Sequence, residues 1–72
     1  MPVNAIHANA NVSENSLIGH GNLIEQGAAI GTKADIANNC VIGANAIIGN
    51  HAKLNDLVQV GAGSVIGEGV II

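Results

Sequence analysis

Branched aliphatic residues occupy every sixth position of the chain: Ile6, Val12, Ile18, Ile24, Ile30, Ile36, Ile42, Ile48, Leu54, Val60, Ile66 and Ile72. A period of six fits neither a 3.6-residue helix nor the two-residue alternation of a free strand. It is the spacing of a coil that returns an equivalent residue to one interior at fixed intervals. Two positions before each aliphatic the chain is mostly Ala, Ser or Cys, as at Ala28, Ala34, Cys40 and Ala46. Side chains alternate along a strand, so both columns point inward, and the second must be small where the tube is narrow. Three positions after each aliphatic stand Asn9, Asn15, Gly21, Gly27, Asn39, Asn45, Gly63 and Gly69, residues that tolerate the left-handed backbone region, with Lys33, His51 and Leu57 as exceptions. Each hexad is therefore predicted to be a short strand followed by a sharp corner. Three hexads close a triangular coil of 18 residues, and the twelve hexads make four coils with every sixth aliphatic inside. No linker interrupts the period, so residues 1–72 are expected to form a single domain.

The period does not give the hand of the coil. Ile42-Gly43-Ala44-Asn45-Ala46-Ile47 and Ile48-Gly49-Asn50-His51-Ala52-Lys53 follow the pattern aliphatic-Gly-x-x-small-x. With these hexads the chain resembles the hexapeptide-repeat, acyltransferase-like superfamily. The opening Ile6-His7-Ala8-Asn9-Ala10 is similar to the first hexads of sugar and sialic acid acetyltransferase β-helix domains. The resemblance implies an all-β, left-handed parallel β-helix, a triangular solenoid of four 18-residue coils. It also implies assembly as a homotrimer. For a transferase it implies acetyl-CoA as cofactor, a sugar hydroxyl or amine as acceptor, and a histidine base in a cleft between subunits.

Three histidines are candidates for that chemistry: His7, His20 and His51. His20 and His51 are the catalytic candidates, His20 heading a corner column that continues as Asn38 and Asp56. Asp56 lies two coils from His20, near 10 Å, too far to orient it directly. The Glu-His-Asp-Cys type run of the sugar acetyltransferases falls, without gaps, on Gly49-Asn50-His51-Ala52. An asparagine then stands in the histidine column and a glycine in the acidic one. The expected function is therefore a structural and oligomerisation scaffold, a truncated or engineered β-helix module without a complete active site. The alternative is an acetyl-CoA-dependent sugar O- or N-acetyltransferase with its site between subunits. Histidine spacings of 13 and 31 residues lack the His-x-x-x-x-His pair of the zinc enzymes that share this fold, so no metal site is expected. A single Thr, Thr32, argues against an ice-binding threonine ladder, and a single Cys, Cys40, reads as a small core residue that has no internal disulfide partner.

The outward positions sort by face. Ala29, Ile47 and Val65 stack beside Gly31, Gly49 and Gly67, and Leu23 and Val41 lie on the neighbouring face. Leu23, Val41, Ile47 and Val65 thus form an aliphatic ridge around one corner, predicted to be the oligomer interface. Open ladder edges at the ends make end-to-end stacking the other form of self-association. Asp35 and Lys53 are predicted to stack as an exposed ion pair. Aromatic residues are absent, charged residues make 10%, and the net charge is −3 with Lys33 and Lys53 the only basic residues besides histidine. There is no basic patch for phosphates and no stacking platform, so nucleic acid is not an expected partner. No run is long enough for a membrane span or a signal peptide, and a cytoplasmic setting is the default expectation.

Overall fold

A computed structural model describes residues 3–72. Eleven two-residue strands follow one another: β1 (Ala5–Ile6), β2 (Asn11–Val12), β3 (Leu17–Ile18), β4 (Leu23–Ile24), β5 (Ala29–Ile30), β6 (Asp35–Ile36), β7 (Val41–Ile42), β8 (Ile47–Ile48), β9 (Lys53–Leu54), β10 (Gln59–Val60) and β11 (Val65–Ile66). They pair only in parallel, each with the strand three further along. The first sheet is β1-β4-β7-β10, the second β2-β5-β8-β11 and the third β3-β6-β9, extended by a bridge between Lys53 and Ile71. The register offset is 18 residues throughout, as in Ile24 on Ile42 and Ile30 on Ile48. This is the triangular solenoid that the six-residue period predicts.

Backbone hydrogen bonds run from coil to coil. Leu23 N–H donates to the Cys40 carbonyl at 2.9 Å, Glu25 N–H to Ile42 at 3.0 Å and Gly31 N–H to Ile48 at 2.8 Å. The interior holds the two inward columns: Ile24, Ile30, Ile36, Ile42, Ile48, Leu54 and Val60, with Ala28, Ala34, Cys40, Ala46 and Ala52. Not all twelve sixth-position aliphatics are buried. Val12, Ile18 and Ile66 are only partly covered, and Ile6 and Ile72 are exposed. Burial here comes from the coil above and the coil below, and these five residues lie in the two outer coils.

At most corners a turn closes between the residue after the aliphatic and the one three further on, as in Ala46 N–H to Gly43 O (3.1 Å) and Ala52 N–H to Gly49 O (3.2 Å). The third residue of the turn has positive φ at Gly27, Gly63, Gly69, Lys33, Asn45 and His51, and the same column is positive at Gly21, Asn39 and Leu57. Asn9 and Asn15 depart from the expectation and are absent from this set. There the preceding side chains accept the N–H groups, Asn9 N–H to His7 Nδ1 at 3.1 Å and Asn15 N–H to Ser13 Oγ at 3.4 Å. The local acceptor lets the turn close without a left-handed residue.

Glycine after the aliphatic has a steric cause wherever the next coil lies beneath it, at Gly19, Gly31, Gly43 and Gly49. A Cβ on Gly43 would lie 2.6 Å from the Ala62 nitrogen, and one on Gly49 would lie 2.7 Å from the Glu68 nitrogen. At Gly61 the nearest atom is Ser64 Oγ at 3.6 Å, since no further coil lies beneath it.

The corner between the third and first sheets is built differently. Asn22 is fully enclosed in the interior. Its Nδ2 donates to the Ala37 carbonyl (3.0 Å) and its Oδ1 accepts the Cys40 N–H (2.8 Å), while its own N–H donates to Asn4 Oδ1 (3.0 Å). Cys40 takes the next place, with its thiol directed at the Asn55 carbonyl at 3.0 Å. Side chains therefore replace the turn hydrogen bond, and residues 20–21 and 38–39 are open bends, whereas Asp56–Leu57, preceding Val58 in that column, is a turn.

Asn22→Ala removes the side-chain partners of the Cys40 N–H and the Ala37 carbonyl and leaves a cavity in the interior, and is expected to cost about 2–4 kcal/mol in urea unfolding. Cys40→Ala removes one weak donor and is expected to cost about 1 kcal/mol. In the same measurement Gly49→Ala destabilises by more than about 2 kcal/mol through backbone overlap, whereas Gly61→Ala is neutral or stabilises by about 0.5 kcal/mol.

Candidate functional site

The three histidines fall on three different corners. His7 follows β1, His20 follows β3 and His51 follows β8. All are exposed. No two share a corner, so one chain does not gather them into a common site. Among the described residues no group of three or more His, Cys, Asp and Glu side chains is placed to hold a metal ion.

His20 is engaged through its backbone: its N–H donates to Asn38 Oδ1 at 3.0 Å and its carbonyl accepts from Asn39 N–H at 3.1 Å. The column below continues in the same manner, with Asn38 N–H and Nδ2 donating to Asp56 Oδ1 at 3.0 and 3.2 Å. Asn38 and Asp56 thus stitch coil to coil, and neither forms a hydrogen bond with the His20 imidazole. His51 sits at φ 63°, its N–H donating to the Thr32 carbonyl at 2.9 Å. Its ring also has no hydrogen-bond partner among the described residues. His7 differs, because Nδ1 accepts the Asn9 N–H. In the neutral ring the proton then lies on Nε2, so the outward nitrogen is a donor and not a base.

Asn50 occupies the column in which the family resemblance puts the catalytic imidazole. Its Oδ1 accepts the Thr32 N–H at 2.9 Å, the same stitch that Asn38 and Asp56 make at their corner. Sequence reasoning missed this role of the corner amides. The signal was present in the 18-residue spacing of His20, Asn38 and Asp56 and of Thr32 and Asn50.

The aliphatic ridge exists as a surface. Leu23, Ile47 and Val65 are 41%, 47% and 68% exposed, and Val41 is partly covered. Leu23 and Val41 are adjacent in the first sheet and Ile47 and Val65 in the second, on either side of the corner that runs through Gly43–Ala46 and Gly61–Ser64. Open grooves of about 450 and 420 Å³ lie on these two sheets. Asp35 and Lys53 are register partners as expected, but they do not close to an ion pair.

His51→Asn is expected to raise stability by about 0.5–1 kcal/mol, because asparagine tolerates the left-handed region better than histidine. The change is read as a higher Tm; a lower Tm shows that the imidazole makes contacts that the fold needs.

Among the described residues no helix is long and apolar enough to cross a membrane. No curated protein matches the chain. The family model for the bacterial transferase hexapeptide (six repeats) matches residues 23–56, which run from β4 to the corner after β9. Parallel strands stacked at an 18-residue interval, an interior column of aliphatics six apart and this match over the central part of the chain together fit the hexapeptide-repeat, acyltransferase-like superfamily.

Proposed function

We propose that this chain is a structural and self-assembly module of the hexapeptide-repeat type, without a complete acyl-transfer site of its own. The observation that carries this reading is Asn50. The position that the family resemblance would give to a general base holds an amide instead, and that amide is bonded to the coil above. A base must be oriented by a partner and must reach the acceptor proton. The rings of His20 and His51 have no such partner among the described residues, and His7 presents a donor.

Self-association runs through the ridge of Leu23, Val41, Ile47 and Val65. From Cys40 to Asn50 and from Leu57 to Gly67 the chain carries no charged residue, although the molecule as a whole has a net charge of −3. Contact along this ridge removes aliphatic surface from water where few charged side chains stand. A trimer is the stoichiometry that the family resemblance implies, with the ridge at the centre. The alternative, an acetyl-CoA-dependent sugar acetyltransferase, requires His20 or His51 to be completed by a neighbouring subunit.

Incubation with acetyl-CoA and a panel of amino- and hydroxy-sugars is expected to release no free CoA above the blank. Turnover abolished by His51→Ala or His20→Ala overturns the scaffold reading. Light scattering is expected to give a mass above that of one chain, returning to one chain in the double variant Val41→Asp, Ile47→Asp with unchanged circular dichroism. A wild-type protein that stays monomeric at about 0.5 mM sinks the ridge as an interface, since even weak specific contacts associate at that concentration.

A further inference from the structure

We propose that the corner after β1 is a pH-operated switch, in which protonation of His7 flips the Ala8–Asn9 peptide and ties the first coil to the second. The switch is independent of the self-association reading above. This corner is a closed turn, with Ala10 N–H donating to the His7 carbonyl at 2.9 Å. Neither Ala8 nor Asn9 has positive φ, and no peptide bond among the described residues is cis, so the turn is of type I. The same column is left-handed in the coils that follow, with φ 74° at Gly27, 61° at Asn45 and 74° at Gly63. Those turns are also closed, by Ala28, Ala46 and Ser64 N–H groups, and are of type II. The two types differ by a half-rotation of the central peptide.

The direction of that peptide decides whether successive coils are joined at the corner. In the type II turns its N–H points to the preceding coil and its carbonyl to the next. Asn45 N–H donates to the Gln26 carbonyl at 3.0 Å, and Gly63 N–H donates to the Ala44 carbonyl at 2.9 Å. The Ala8 carbonyl receives no such bond from Gly27. Its peptide is turned the other way, with the Asn9 N–H on His7 Nδ1 at 3.1 Å. The next corner repeats the arrangement with a hydroxyl. Asn15 N–H donates to Ser13 Oγ at 3.4 Å, and Lys33 N–H makes no bond to the Glu14 carbonyl. From Asn39 to Gly69 every corner makes the coil-to-coil bond, and the two that lack it are those whose preceding side chain supplies an acceptor.

The acceptor on His7 exists only in the neutral ring. A proton taken from solvent goes to Nδ1, since Nε2 already carries one, and the imidazolium then has two donors and no acceptor. The Asn9 N–H loses its partner and faces another N–H. Flipping the Ala8–Asn9 peptide removes that opposition and offers the Ala8 carbonyl to the Gly27 N–H. Asparagine tolerates the left-handed φ that the flip requires, as Asn45 does in the same column. The charged group facing His7 is Glu25, in the same position one coil on. That column continues as Gly43 and Gly61, and the adjoining corner residues, Ala8, Asn9, Gln26 and Gly27, carry no charge. The imidazolium released from Asn9 therefore lies beside one carboxylate, on the rim of the groove of about 420 Å³ that both residues line. Ser13 has no protonation step in this range, so the second corner is a control built into the same coil.

The test is NMR on the isotope-labelled full chain, from about pH 8 to about pH 5.5, the range in which imidazole changes charge. The NOE between the Ala8 Hα and the Asn9 amide is weak at the type I ψ of about −30° and roughly tenfold stronger at the type II ψ of about 120°. It is expected to strengthen with the same midpoint as the His7 ring protons, while the Gly27 amide becomes hydrogen-bonded and its temperature coefficient falls. The NOE between the Glu14 Hα and the Asn15 amide is expected to stay weak throughout. His7→Ala, which has no acceptor, is expected to show the strong NOE at both ends of the range, and His7→Ser the weak one at both. A His7 ring that titrates while the Ala8–Asn9 NOE stays constant overturns the switch. So does a His7→Ala variant that keeps the weak NOE, or an Asn15 corner that changes in step with the Asn9 corner.

Discussion

Everything in this molecule depends on stacking one 18-residue coil on the next. The strands are two residues long, too short to hold themselves, and each is paired only with strands one coil away. The hydrogen bonds, the burial of the aliphatic column and the shape of the corners all follow from that spacing of about 4.8 Å between coils. A corner that cannot let the next one approach breaks the stack. This explains why Gly43 and Gly49 carry no side chain, and why amides at Asn38 and Asn50 and a carboxylate at Asp56 turn toward the backbone of the coil above.

The same constraint shapes what chemistry is available. Outward polar groups at the corners are drawn into coil-to-coil bonds, so Asn38, Asn50 and Asp56 are occupied in stitching and are not free to orient an imidazole. The histidines that remain lie at three separate corners. A single such prism offers flat faces and ridges to a partner more readily than it offers a pocket to a substrate. The apolar ridge is the natural consequence, since inward and outward positions alternate and some outward positions are also aliphatic.

The buried Asn22 shows how one polar residue alters a repeat. Its carbonyl and amide take over bonds that a turn makes at the other corners, and Cys40 continues the seam with a thiol donor. In the sequence Asn22 stands in a column of mostly small residues, and nothing there indicates that it opens the corner. The difference between Asn9 and Asn15 on one side and Asn39 and Asn45 on the other was hidden for a related reason. The same residue type serves a left-handed corner or an ordinary turn, depending on whether a neighbouring side chain supplies an acceptor.

Period, strand positions, inward columns and the location of the corners were all legible in the chain, because a repeat writes the same geometric demand twelve times over. The candidate site was legible only as a set of residue types. Whether His51 or His20 is oriented by anything depends on which groups the stacking places beside them. That is a matter of residues 18 apart meeting in space, not of neighbours along the chain. Burial was settled at the same level. Ile6 and Ile72 obey the period as faithfully as Ile42, yet they are exposed, since an aliphatic on the outer coil has a neighbour on one side only.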